Sequence, residues 1–151
     1  MDIDLVLAIA HHLAVFTLVA VFAVEFAMIR PGLAGPAIQS LSRIDAVYGA
    51  FAGIVILVGV IRLFFGAKGW DYYAANEMFW GKMAAFLLVG LLSIPPSIAI
   101  RRWAKGLAGS PTYLPPPGEI ASSRRFIHLQ AAFLVLIPVF AAAMARSYGL
   151  S

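Results

Sequence analysis

Residues 5–29 read LVLAIAHHLAVFTLVAVFAVEFAMI and run into Arg30-Pro31-Gly32. At about 1.5 Å of rise per helical residue, this run is long enough to cross a hydrocarbon core roughly 30 Å thick. Three further apolar runs follow: about 46–65, stopped by Gly66; about 78–100, stopped by Arg101-Arg102; and about 126–145, stopped by Arg146. A lipid-exposed backbone must satisfy its own hydrogen bonds, and the alternation expected of barrel strands is missing, so each run is expected to be a helix. The fold expected is an all-α integral membrane four-helix bundle, up-down-up-down, forming one domain over 1–151.

The composition agrees. Of 151 residues, 62% are apolar and 12% charged, against about 45–50% and about 25% in average soluble domains. That balance excludes a disordered chain, a nucleic-acid-binding module and an ordinary soluble enzyme. The lipid bilayer is the first partner implied. There is no cysteine, which excludes disulfides, iron–sulfur clusters and thiolate metal sites. The N-terminus, Met1-Asp2-Ile3-Asp4, has no basic region, and the first run is expected to be a retained span rather than a cleaved leader.

The connections differ in charge. Arg30, Arg43, Arg101, Arg102, Lys105, Arg124 and Arg125 fall in the first and third connections, against Lys68, Arg146, Arg62 and Lys82 on the other side. By the positive-inside rule the first and third connections face the cytoplasm and both termini face outward. Gly106–Ser123, with Pro111, Pro115, Pro116, Pro117 and Gly118, reads as a stiff non-helical loop. The outer connection, residues 66–77, is aromatic, as expected of an interfacial belt or a lid.

Ionisable groups inside spans are costly and tend to face the bundle interior. By helix rise they fall into two layers. The outer layer holds His11, His12, Arg62 and Lys82, with Trp70 and Trp80 as its walls. The inner layer holds Glu25 and His128, with Arg43, Asp45 and Arg125 around it. At about 100° per residue, His11 and Glu25 share a stripe with Leu18 and Phe22, so His11 is the better candidate for the bundle centre. Tyr48, Val55 and Arg62 share a stripe on the second span, and Lys82, Val89 and Ser93 on the third.

An imidazole beside two cations suits haem b or a porphyrin: His11 or His12 as iron ligand, Arg62 and Lys82 on the acidic groups. His12 and His128 sit about 12–15 Å apart along the normal, too far for one iron. Glu25 is expected to pair with an arginine or with His128, or to join His11 and His128 in a proton relay or small-solute path. Gly49 and Gly53 make a GxxxG suited to close packing, which leaves a non-enzymatic accessory or scaffold subunit, a homo-oligomer or part of a larger membrane complex, as an alternative.

The chain also resembles a known family across nearly its whole length. The matching pieces are His11-His12-Leu13-Ala14, Glu25, Arg43-Ile44-Asp45-Ala46-Val47-Tyr48-Gly49 and Arg62-Leu63-Phe64-Phe65-Gly66-Ala67-Lys68-Gly69. They continue with Phe79-Trp80-Gly81-Lys82, residues 88–96 and Met144-Ala145-Arg146. The family is an uncharacterised bacterial group of four-helix "predicted membrane proteins". The resemblance implies a multi-pass protein of the bacterial inner membrane and no particular activity. In layout the chain is more distantly similar to the four-helix membrane protoporphyrinogen oxidase and to copper-resistance membrane proteins. The oxidase resemblance implies haem, and touches His11 or His12 and Trp80 with Lys82. The oxidase family's C-terminal motif has no counterpart here.

Overall fold

A computed structural model describes residues 2–149. The chain forms α1 (Ile3–Met28), α2 (Pro36–Phe65), a short α3 (Gly69–Ala74), α4 (Glu77–Gly109) and α5 (Pro117–Ala145). The four long helices are each long and apolar enough to cross a membrane. At most 28% of any apolar window is buried in the protein's own interior, so most of each span faces lipid. The chain is an integral membrane protein.

The helices pack in the order α1, α2, α4, α5, with α4–α5 and α1–α2 the most extensive pairings. Among the described residues, α1 makes no close backbone approach to α4, nor α2 to α5, so these are the diagonals of the bundle. The contact between α1 and α5 is slight. It includes a hydrogen bond from Arg124 Nη1 to the carbonyl of Ile29 at 2.6 Å, and the Phe26 and His128 rings at 4.8 Å.

The two ends of the bundle are packed differently. Ile29, Leu33, Ile38, Leu41, Ile100, Trp103, Ile120 and Ile127 are buried together at the end bearing the first and third connections. This is called the basic end below; the opposite one, with residues 66–77, is the aromatic end. At the basic end α2, α4 and α5 overrun their apolar segments, and a water-driven hydrophobic core can form there. Between spans in lipid that drive is absent, and packing rests on shape and polar contacts.

The loops follow from local chemistry. Gly35 precedes α2 with φ 56° and ψ −137°, a conformation that only glycine adopts readily. Pro36 then occupies the first turn, where its missing N–H costs nothing. The proline-rich third connection is shorter than the sequence suggests. α4 runs on to Gly109, and Pro117 opens α5, with the carbonyl of Pro116 accepting from Glu119 and Ile120. Proline's fixed φ, read as a sign of loop, here starts a helix. At the aromatic end, Asp4 Oδ1 accepts from the Ala67 N–H at 3.3 Å and ties the start of α1 to the end of α2. A Cβ on Gly66 would lie 2.4 Å from the carbonyl oxygen of Arg62, so this tight helix exit requires glycine.

Candidate functional site

Two polar clusters lie on the diagonals of the bundle. The first is near the aromatic end. His11 is half-buried beside α2, where a Cβ on Gly59 would sit 3.5 Å from its Cε1. Arg62, Lys82 and His12 lie within Coulombic reach of it, and Arg62 within reach of Lys82. His11 Nδ1 and Arg62 Nε are both buried without a hydrogen-bond partner. Among the described residues no carboxylate pairs with Arg62 or Lys82. The cluster therefore carries two cationic side chains with no carboxylate paired to them.

His12 is turned to the lipid face, and its Nδ1 donates to the carbonyl of Ala8 at 2.7 Å. Trp70 and Trp80 are exposed and pack edge-to-face with ring centroids 6.4 Å apart. Phe79, 2% exposed, touches both indoles and lies under Lys82, whose Nζ is 5.6 Å from its ring centre. The face of that ring is electron-rich and favours the ammonium. The wall against Lys82 is thus Phe79, with the two tryptophans outside it. The signal for Phe79 is its position three residues before Lys82, on the same helical face.

The second cluster is nearer the basic end. Glu25 is 3% exposed and Asp45 4% exposed, and the two carboxyl groups are Coulombic neighbours. Ser97 Oγ donates to Asp45 Oδ1. Glu25 Oε2 has no partner. Tyr48 OH, also a neighbour of both acids, donates towards Gln130 Oε1 at 3.5 Å, at the outer limit of a hydrogen bond. Gln130 Nε2 donates to the carbonyl of Leu92 at 3.2 Å. Four helices thus meet through Glu25, Asp45, Ser97 and Gln130.

Arg43 and Arg125 are exposed, outside this cluster. His128 is exposed as well, with Nδ1 donating to the carbonyl of Arg124 at 2.6 Å. Glu25 therefore sits beside Asp45 rather than beside an arginine or His128, and no chain of hydrogen bonds joins His11, Glu25 and His128 among the described residues. Tyr48, Ser97 and Gln130 went unremarked as site residues at the level of sequence. Gln130 had a visible signal, an amide inside an apolar run.

Among the described residues no group of three or more His, Asp or Glu side chains could hold a metal ion. A metal at the first cluster would have to arrive within a cofactor carrying its own donors.

No curated protein and no solved structure is significantly similar to the chain. A family model does match, over residues 3–149, nearly the whole length. The chain belongs to the family described as "Predicted membrane protein (DUF2214)".

Proposed function

We propose that this protein binds an acidic, membrane-soluble ligand at His11, Arg62 and Lys82, with haem b or a porphyrin in a redox role as the ligand. The observation that carries this reading is the unmet cationic charge: among the described residues Arg62 Nε is buried and unpartnered, His11 Nδ1 also has no partner, and neither Arg62 nor Lys82 pairs with a carboxylate. Buried polar atoms ordinarily find partners, so a cluster of this kind is suited to an anion. The residues fit a haem. His11 offers one imidazole, Arg62 and Lys82 suit propionates, and Phe79 gives an apolar wall. A haem bound there supplies one-electron chemistry. The protein's own part is to orient the imidazole, neutralise the acidic groups and exclude water.

The test is a visible absorption spectrum of the full chain in mild detergent, followed by titration with haem. Uptake is expected, abolished in His11→Ala, weakened in Arg62→Gln and Lys82→Gln, and retained in His12→Ala. A colourless protein that takes up no haem overturns the haem reading.

A second reading, an accessory or scaffold subunit, is favoured by α2. Gly49 and Gly53 are exposed, and a Cβ on either would meet nothing within 4 Å. That face is free for a helix of another chain to approach closely. Gly53→Leu should then abolish association in bilayers while leaving the monomer as stable as before.

A further inference from the structure

A groove of about 980 Å³ opens at the basic end, where the first and third connections meet α5. It lies apart from both clusters. Its apolar lining includes Leu33, Leu114, Ile120 and Leu129, and its polar lining includes Arg124, Arg125 and His128. No Asp or Glu lines it. The nearest acid along α5, Glu119, is engaged by Trp103 and Arg102. Among the described residues neither Arg124 nor Arg125 forms a salt bridge.

The spacing is that of one helical face. Ile120, Arg124 and His128 stand four apart, with Ala121, Arg125 and Leu129 beside them, so cationic and apolar groups share one stripe. Two internal hydrogen bonds hold the polar groups. Arg124 Nη1 donates to the carbonyl of Ile29, and His128 Nδ1 donates to the carbonyl of Arg124. The other guanidinium N–H groups of Arg124 and all those of Arg125 remain for an anion, and His128 Nε2 can donate to it only when the ring carries a second proton. The cations sit where the apolar segment of α5 begins, at the depth where a phospholipid carries its phosphate. Leu129 lies on the bilayer side of Arg124 and Arg125, and Leu33, Leu114 and Ile120 wall the groove on the side of the connections.

We propose that this groove is a binding site for one anionic phospholipid, its phosphate held by Arg124 and Arg125 with His128 beside it, and its chains running along Leu129 into the bilayer. Charge complementarity selects the occupant. A zwitterionic lipid brings its own cation into a groove that has no acid to receive it. A free phosphate leaves Leu129 and the adjoining bilayer unused.

Arg124 is a poor probe, because its guanidinium also holds the end of α1. Arg125 and His128 are exposed and can be changed without disturbing the core. The experiment is native mass spectrometry of the full chain released from nanodiscs of equal phosphatidylglycerol and phosphatidylcholine. Circular dichroism checks that each variant keeps its helices. Retention of phosphatidylglycerol over phosphatidylcholine is expected, and should fall about tenfold in Arg125→Gln, the loss of one charge-assisted hydrogen bond, and by less in His128→Ala. Arg43→Gln and Arg101→Gln, at the same end but outside the groove, should leave it unchanged. Equal retention of the two lipids overturns the proposal. So does an equal loss in the groove variants and the two controls, which would show diffuse attraction of a basic surface instead of a site.

Discussion

Gln130 donates its side-chain amide to the main-chain carbonyl of Leu92, 3.2 Å away on the neighbouring helix. The reason lies four residues on. In an α-helix that carbonyl would accept from the N–H of residue 96, and residue 96 is proline, which has none. Pro96 lies inside α4, which continues through it, and Gln130 is 2% exposed. In lipid no water replaces the missing donor, so the amide of α5 completes the hydrogen bonding of α4.

A double-mutant cycle tests this pairing. Gln130→Leu should destabilise the bundle by about 1–3 kcal/mol, the cost of a buried acceptor left without a donor. Pro96→Ala restores an N–H to α4. In that background the same Gln130→Leu change should cost less, with a coupling of at least about 0.5 kcal/mol. Unfolding in mild detergent measures both. An equal cost in the two backgrounds would show that the amide does not serve that carbonyl.

The two buried acids should respond in opposite ways to loss of a polar group. Asp45 accepts from Ser97 and Glu25 Oε2 accepts from nothing. Ser97→Ala strips Asp45 of its donor and should cost about 1–3 kcal/mol. Glu25→Gln removes one of two adjacent buried carboxylates, and an isosteric neutral group is often equally stable or more so. The expected order in thermal unfolding is Glu25→Gln at or above the parent and Ser97→Ala well below it. A Glu25→Gln variant that unfolds like Ser97→Ala would mean that its carboxylate holds the helices together.

These particulars show which features the sequence makes legible. The spans were legible because hydrocarbon admits little besides long apolar helices. The faces followed from helical periodicity: Leu18, Phe22 and Glu25 are buried on one stripe, with His11 half-buried above them. Partner choice was harder to see. That Gln130 serves Leu92 depends on a proline on one helix and the register of another. That Glu25 faces Asp45 depends on α2 running helically from Pro36, ahead of its apolar segment. The same overrun at Pro117 converted much of a proline-rich loop into α5. Helix rise sets the depth of an ionisable group, but says nothing of which groups point outward, and His12, Arg43, Arg125 and His128 do.

The approach of α2 to His11 gives a graded test of the site near the aromatic end. A Cβ on Gly59 would stand 3.5 Å from His11 Cε1, an ordinary van der Waals distance. Gly59→Ala should therefore leave the imidazole in place and ligand uptake unchanged. Gly59→Leu adds a branched side chain into the same space and should push the ring aside, with uptake falling towards the level of His11→Ala. Haem titration followed by absorbance reads this directly. If the alanine and leucine variants behave alike, the position of His11 does not govern binding.

At the other end, α4 and α5 are joined beside the apolar core by polar contacts to one carboxylate, that of Glu119. Trp103 is fully buried, and its Nε1 donates to Glu119 Oε2 at 2.7 Å. Arg102 reaches the same oxygen from outside at 3.0 Å, with its side chain largely exposed. Glu119 stands in the first turn of α5, where a negative charge also meets the positive end of the helix dipole. The two donors should differ in worth. Trp103→Phe keeps most of the buried ring and loses the hydrogen bond to a charged acceptor, so about 1.5–3 kcal/mol should be lost. Arg102→Ala removes an exposed ion pair worth about 0–1 kcal/mol. Unfolding monitored by circular dichroism should place Trp103→Phe clearly below Arg102→Ala, and raising the salt concentration should shrink the Arg102→Ala effect by the larger fraction, because screening acts more on the exposed ion pair than on a part-buried hydrogen bond to a neutral donor. The reverse order would put the α4–α5 joint on the surface ion pair and not on the indole.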